Sequence, residues 1–356
     1  MRTISISLCP NCVPCPATTD VTPADDLRHM AHALRLARRG LGNVWPNPAV
    51  GCVIVQGTRI VGRGWTQPGG RPHAERMALD QAGPLARGAT AYVTLEPCAH
   101  HGRTPPCADG LVAAGIARVV SAMTDPDPRV AGRGHRILQD AGIAVTMGIR
   151  QAEAQELQAG FLSRVLTGRP FITLKLATSF DGRIATASGE SQWITGPQAR
   201  LHVHAMRMIH DAVMVGGNTA RADRPSLNVR GLTTPRQPVR VVLSSAPLPD
   251  LPREGPMHGT LLRIDATPQD ALAQLAQKGI TRVFCEGGGV LAASLLQAGL
   301  VDQVIGYTAG IVLGGDGRAA VGPMPLAHLS DAPLFRLVET RRLGDDLFHR
   351  WRRVTG

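Results

Sequence analysis

An α/β fold in two domains is predicted by three features of the sequence. Strand-like runs alternate with helix-like runs through the first half, which implies a sheet covered by helices. The breaker Gly168-Arg169-Pro170 interrupts the chain, and a second strand-rich pattern starts afresh at Phe171. At 356 residues the chain is too long for one average domain and suits two, each able to bury its own core. No internal repeat is evident, so the halves are expected to differ in fold.

Residues 1–22 are Pro-rich, lack apolar periodicity and are expected to form a disordered extension. Cys9, Cys12 and Cys15 have a spacing that could hold a metal, but the composition around them argues against a folded site. The first eight residues are too short and too polar for a signal segment, which predicts a cytoplasmic protein. From Ala24 to Arg39 apolar residues recur at helical spacing (Leu27, Met30, Ala31, Leu34, Ala37), and Gly40 and Gly42 stop the helix. Strands are predicted at Ala49–Val55, Ala91–Leu95, Arg118–Met123 and Ala144–Met147, with helices near His73–Gln81, Cys107–Ala114 and Arg136–Ala141. An Ala-, Glu- and Gln-rich stretch from Ile149 to Leu166 reads as one connecting helix, so the first domain is assigned to 23–168 and the second to 169–356. The second half reads as strands at Phe171–Leu176, Ala212–Val215, Val239–Leu243, Leu261–Ile264 and Arg282–Cys285, with helices at Pro197–Met208 and Val290–Ala298.

Composition excludes two classes of partner. No apolar run approaches the ~18 residues that cross a bilayer, so no membrane role is expected. The net charge of +11 comes almost wholly from scattered Arg, Lys being found only at 175 and 278, and aromatic residues make up 3% of the chain. Few platforms remain for stacking bases, whereas the planar fork of Arg suits small phosphorylated ligands; no nucleic-acid partner is expected.

The chemistry is concentrated in His73-Ala74-Glu75, Pro97-Cys98 and Cys107. Zinc takes tetrahedral N and S ligands, and a catalytic site keeps three protein ligands and leaves the fourth place to water. His73, Cys98 and Cys107 supply the three, which implies one Zn²⁺ per chain. Glu75 serves better as a proton carrier than as a ligand. His100 or His101 could complete a closed structural site instead, but such a site has no use for Glu75. H-x-E followed by P-C and a further Cys is the arrangement of zinc nucleobase deaminases. In a reducing compartment the seven cysteines are better read as ligands or buried residues than as disulfides.

The strings T-L-E-P-C-A-H-H-G-R-T-P-P-C from Thr94, W-P-N-P-A-V-G-C-V-I-V from Trp45 and P-H-A-E from Pro72 resemble the deaminase half of the RibD family of bifunctional riboflavin-biosynthesis enzymes. L-K-L-A-T-S-F-D-G-R-I-A from Leu174, S-Q-W-I-T-G from Ser191 and E-G-G-G-V-L from Glu286 resemble its reductase half. The resemblance implies a cytidine-deaminase-like three-layer domain followed by a dihydrofolate-reductase-like one. It also implies a phosphorylated pyrimidine substrate, NADPH as second cofactor, and a homo-oligomer. The glycine run at 287–289 is not the G-x-G-x-x-G fingerprint, which agrees with a reductase half unlike a Rossmann domain.

Residue by residue, the resemblance gives Glu75 the catalytic role and places Asn47, His101 and Arg103 on the deaminase substrate. It assigns Ala177, Trp193, Thr219, Asp223, Ser244, Gly288, Gly289, Val290, Leu291, Ala292, Ala293 and Ser294 to NADPH. Ser191, Arg207, Leu227, Arg230 and Glu286 fall to the second substrate. Lys175 joins them because an unpaired charge within a strand pattern is costly in a core. Two strings depart from the family pattern: Asp223-Arg224-Pro225, where a second Asp is usual, and the segment around Gly310, which lacks the usual Pro and Lys. A deaminase with a degenerate or structural second domain, and a deaminase of RNA bases, are the alternative readings.

Overall fold

The computed structural model describes residues 22–99, 105–127, 131–252 and 259–354. His100, His101 and Arg103, and the cysteines at 9, 12 and 15, lie outside them.

The first half runs α1 (Pro23–Ala37), β1 (Gly51–Gln56), β2 (Arg59–Trp65), α2 (Ala74–Ala82), β3 (Thr90–Val93), α3 (Cys107–Ala113), β4 (Arg118–Ser121), α4 (Arg133–Asp140) and β5 (Ala144–Met147). Thr22 opens α1 through a reciprocal cap with Asp25, and Pro23 fills the first helical position, where an N–H has no partner to lose. The five strands form one sheet in the order β2-β1-β3-β4-β5, antiparallel at β1 and parallel from β3 to β5. Its core joins Met30 and Leu34 of α1 to Ile54, Tyr92 and Val120 of the sheet and Leu111 of α3. Asp26, buried in α1, accepts from both arms of Arg118 and from the Tyr92 hydroxyl, so its charge does not enter the core unpaired.

Strand β2 was not expected, because Gly62 and Gly64 break its pattern. Those glycines bring α2 close: a Cβ on Gly64 would stand 2.0 Å from the carbonyl oxygen of Ala74. The helix expected over 149–166 is two, α5 (Gln151–Leu157) and α6 (Ala159–Thr167). Gln158 separates them because its side chain turns inward to donate to the Ala49 carbonyl at 2.6 Å.

The second half runs β6 (Phe171–Thr178), β7 (Arg183–Ala185), α7 (Pro197–Met208), β8 (Ala212–Gly216), α8 (Gly217–Asp223), β9 (Val239–Leu243), β10 (Leu261–Ile264), α9 (Pro268–Gln277), β11 (Arg282–Cys285), α10 (Gly289–Gln297), β12 (Gln303–Thr308), β13 (Arg318–Ala319), β14 (Phe335–Leu343) and β15 (Asp346–Arg353). Eight strands form a sheet in the order β10-β9-β8-β11-β6-β12-β15-β14, parallel as far as β12 and antiparallel beyond. One face carries a cluster around Leu174, Met214 and Leu272, the other a cluster around Phe284, Tyr307 and Phe348. The hairpin β14–β15 escaped sequence reading because its Arg-rich strands are half-exposed or exposed along most of their length. Among the described residues no helix is long and apolar enough to cross a membrane.

Candidate functional site

In the first half, His73 is the N-cap residue of α2, Glu75 lies in its first turn, and Cys107 opens α3. Cys98 lies in the loop between β3 and α3. The three ligand atoms fall within 4.8 Å of one another. His73 Nδ1 stands 3.3 Å from Cys107 Sγ and 3.7 Å from Cys98 Sγ. A tetrahedral zinc with bonds of 2.0–2.3 Å separates its ligands by about 3.3–3.8 Å, so donor chemistry and spacing both fit that metal.

The electrostatics favour the same cation. The Cys107 thiol holds Cys98 well below the ordinary thiol range, helped by His73 and the Cys107 amide, while Cys107 itself is driven up by its bond to Cys98 and by burial. A divalent cation among these donors would let both thiols ionise. Glu75 is 4% exposed, and its carboxyl is pushed up to about 7, first by burial and then by the Cys98 charge.

A residue that the motif reading passed over supports this centre from behind. The buried carboxylate of Glu96 accepts from the backbone amides of Asp125, Gly132, Gly134 and His135, at 3.1, 2.9, 2.9 and 3.3 Å. It therefore pins the Glu96-Pro97-Cys98 segment to the start of α4. The Glu of T-L-E-P-C was visible in the sequence, but its partners lie at least 29 positions away. Asn47 packs against Gly70 in the loop that leads to His73, and its side chain donates to Val44 O at 3.3 Å.

The second half holds a cavity of about 920 Å³ between the strand ends and α8 and α10. Of the residues expected at the cofactor, Thr219, Asp223, Ser244, Gly288, Gly289, Val290, Leu291 and Ser294 line it, as does Ser191. Ala292 and Ala293 are placed elsewhere: both side chains are buried on the inward side of α10. Ala177 and Trp193 are not among the lining residues; Trp193 is 64% exposed beneath the Arg200 guanidinium, which lies 4.7 Å from its ring centroid. Arg221 and Arg318, passed over in the sequence among so many arginines, also line the cavity. The glycines lie at the N-terminus of α10, where backbone amides suit a pyrophosphate.

Arg207, expected at the second substrate, is engaged in an ion pair. Its guanidinium holds the Glu286 carboxylate at 2.5 and 3.0 Å and donates to Asn228 O at 2.7 Å. Burial pushes the Glu286 carboxyl up, but Arg207 and Lys175 outweigh it and hold the group below the ordinary range. Lys175 lies on β6, and burial lowers its ammonium against the opposing pull of Glu286. Leu227 is buried, and Arg230 is exposed at the end of the same loop. Arg224 turns away: in a left-handed cap after α8 it donates to Asp250 O at 3.0 Å and does not line the cavity. The altered segment near Gly310 is anchored by Asp181, which accepts from the amides of Leu313 and Gly314.

Fold and sites define a two-domain enzyme in which a zinc-binding deaminase-type domain precedes a reductase-type domain with a nucleotide-sized cavity. Residues 23–123 match the cytidine and deoxycytidylate deaminase zinc-binding region, and residues 170–349 match the RibD C-terminal domain. The chain belongs to the RibD family of riboflavin biosynthesis proteins. It is 46% identical to riboflavin biosynthesis protein RibD of Escherichia coli, covering 90% of this chain and 98% of that one. It is 43% identical to RibD of Haemophilus influenzae, covering 91% and 96%. The structure of Acinetobacter baumannii RibD superposes with a TM-score of 0.86 at 41% identity, covering 94% of this chain and 100% of that one. The diaminohydroxyphosphoribosylaminopyrimidine deaminase/5-amino-6-(5-phosphoribosylamino)uracil reductase of Thermotoga maritima superposes at 0.83 and 34% identity, covering 93% and 99%. The chain is accordingly bifunctional, a zinc-dependent hydrolase with a cytidine-deaminase-like first domain and an NADPH-dependent oxidoreductase with a dihydrofolate-reductase-like second domain.

Proposed function

We propose that the chain deaminates 2,5-diamino-6-(5-phosphoribosylamino)pyrimidin-4(3H)-one and then reduces the ribosyl chain of the product to ribityl, giving 5-amino-6-(5-phosphoribitylamino)uracil. The observation that carries this reading is the buried Glu75 carboxylate beside a three-donor set, in a chain that also holds a nucleotide-sized cavity. The deaminase is assigned to residues 23–168 and the reductase to 169–356, a division supported by the left-handed Gly168 that ends α6.

His73, Cys98 and Cys107 hold the zinc, which when bound supplies an activated water at neutral pH. Glu75 takes a proton from the attacking water and returns it to the departing amine, a task suited to a buried carboxyl beside the ligand set. Asn47 orients the pyrimidine, and His101 and Arg103 meet its phosphate. In the second half Lys175, Ser191, Arg207, Leu227, Arg230 and Glu286 hold the deaminated product. Ala177, Trp193, Thr219, Asp223, Ser244, residues 288–291 and Ser294 hold NADPH, which supplies the hydride. The protein is a cytoplasmic homo-oligomer without nucleic-acid or membrane partners. Exposed Leu334, Leu337 and Val338, on and beside edge strand β14, support self-association, which sedimentation at graded concentrations tests.

A coupled assay tests the whole reading. Purified chain should release ammonia from the diaminopyrimidine nucleotide without NADPH and oxidise NADPH only afterwards. Ammonia release with no subsequent NADPH oxidation would leave only the first activity standing.

A further inference from the structure

The loop that carries Asn47 belongs to the deaminase half in sequence but is held by the reductase half in space. Trp45 packs against the reductase cluster around Leu174, Met214 and Leu272. The Arg236 guanidinium lies over its ring, 4.0 Å from the centroid. Pro46 rests on Gly279, where an added Cβ would meet Pro46 Cβ at 2.9 Å. Gly42, at the start of the loop, faces the end of α7, and a Cβ there would stand 2.2 Å from Met208 O. On its other side the loop returns to the zinc centre, since Asn47 packs on Gly70 and Asn43 O accepts from the Gly69 amide at 2.9 Å, in the segment leading to His73.

An irregular loop has little to hold it in place by itself. A half-buried Trp under a guanidinium supplies large contact area and a directed attraction, and Gly279 lets the neighbouring backbone approach Pro46. The whole-chain superposition on Acinetobacter baumannii RibD, at a TM-score of 0.86, spans both halves together.

From this contact we infer that Arg236 and Gly279 of the reductase half are positioning residues for the deaminase, fixing Asn47 through Trp45 and Pro46. The inference rests on the proposed role of Asn47 in holding the pyrimidine. It follows that the first activity depends on the second domain being present and docked.

The test uses the full chain with zinc loaded. Arg236→Ala and Gly279→Val should each raise the KM for ammonia release about tenfold while changing kcat less, because a substrate-orienting loop has been loosened. Zinc content, and NADPH oxidation with pre-deaminated substrate, should stay at wild-type levels. Arg236→Lys, which keeps a cation over the ring, should recover most of the KM. An unchanged KM in both variants, or a parallel loss of both activities, would overturn the inference. A wild-type chain that releases no ammonia would instead sink the functional reading on which it rests.

Discussion

Arg207 grips Glu286 with two arms of its guanidinium, Nε to Oε1 at 2.5 Å and Nη2 to Oε2 at 3.0 Å, in a site where both side chains are about nine-tenths buried. Removing one partner from such a pair strands the other charge and costs about 3–5 kcal/mol. Arg207→Ala should therefore lower the thermal midpoint and abolish NADPH oxidation. Replacing both residues with Met should restore much of the stability but none of the oxidation. Calorimetry beside the NADPH assay separates the two effects, and a double variant no more stable than the single one would show that burial of the lone carboxylate was not the cause.

Glu75→Gln should reduce ammonia release by about 10²–10⁴-fold, the usual worth of a positioned proton carrier. Zinc content measured by metal analysis should be retained, because Glu75 is not among the clustered ligand atoms. Full activity in this variant would exclude Glu75 as the proton carrier.

Glu96→Gln turns one acceptor oxygen into a donor facing backbone amides that already donate. The Cys98 segment should loosen, and zinc affinity should fall by about 10–100-fold, as for other groups that orient metal ligands. Competition with a chromophoric chelator measures the loss. The visible spectrum of the cobalt-loaded variant reports whether the thiolate geometry has changed.

Gly288→Val should fill part of the 920 Å³ cavity, since a Cβ there would already stand 2.8 Å from Thr219 Oγ1. NADPH affinity by fluorescence titration should fall at least about tenfold, with ammonia release unaffected. Tight NADPH binding in this variant would place the cofactor elsewhere.

His210 is buried, with Nδ1 donating to Met206 O at 2.6 Å and Nε2 accepting from Thr173 Oγ1 at 3.1 Å. Burial depresses its folded-state value to about 3, against 6.5 when unfolded, and His204 is likewise depressed to about 4. Below pH 6.5 the unfolded chain takes up protons that the folded chain refuses. The stability is thus complete above about pH 6.5 and declines as pH falls toward 3, by at most ~1.4 kcal/mol per unit for the fully buried His210 and by less for the partly exposed His204. Urea midpoints between pH 7 and 4.5 should fall accordingly, and His210→Gln should flatten the slope by about one group's share.

Much of the zinc centre was legible because its parts are local. His73 and Glu75 are two positions apart, and Cys98 and Cys107 bracket one loop, so donor chemistry and spacing could be read without knowing the fold. The helix and strand alternation of the first half was legible for a similar reason, since periodicity is a property of short windows. Among the elements that escaped were several whose pattern is broken or charged. Gly62 and Gly64 hid β2, and the arginines of β14 and β15 hid a hairpin that completes the second sheet.

The partners of the charged residues belong to another level. Arg207 and Glu286 are 79 positions apart, and nothing in either local string distinguishes an ion pair from two separate substrate contacts. Trp45 likewise reads as part of a deaminase motif, yet its ring packs into the other half of the chain beneath Arg236. Residue chemistry and short-range spacing therefore carried the reaction class, the metal and the outline of both folds. Which groups pair, which side chains turn into a core and which half holds the Asn47 loop depend on contacts between distant segments, and only packing brings those segments within reach of one another.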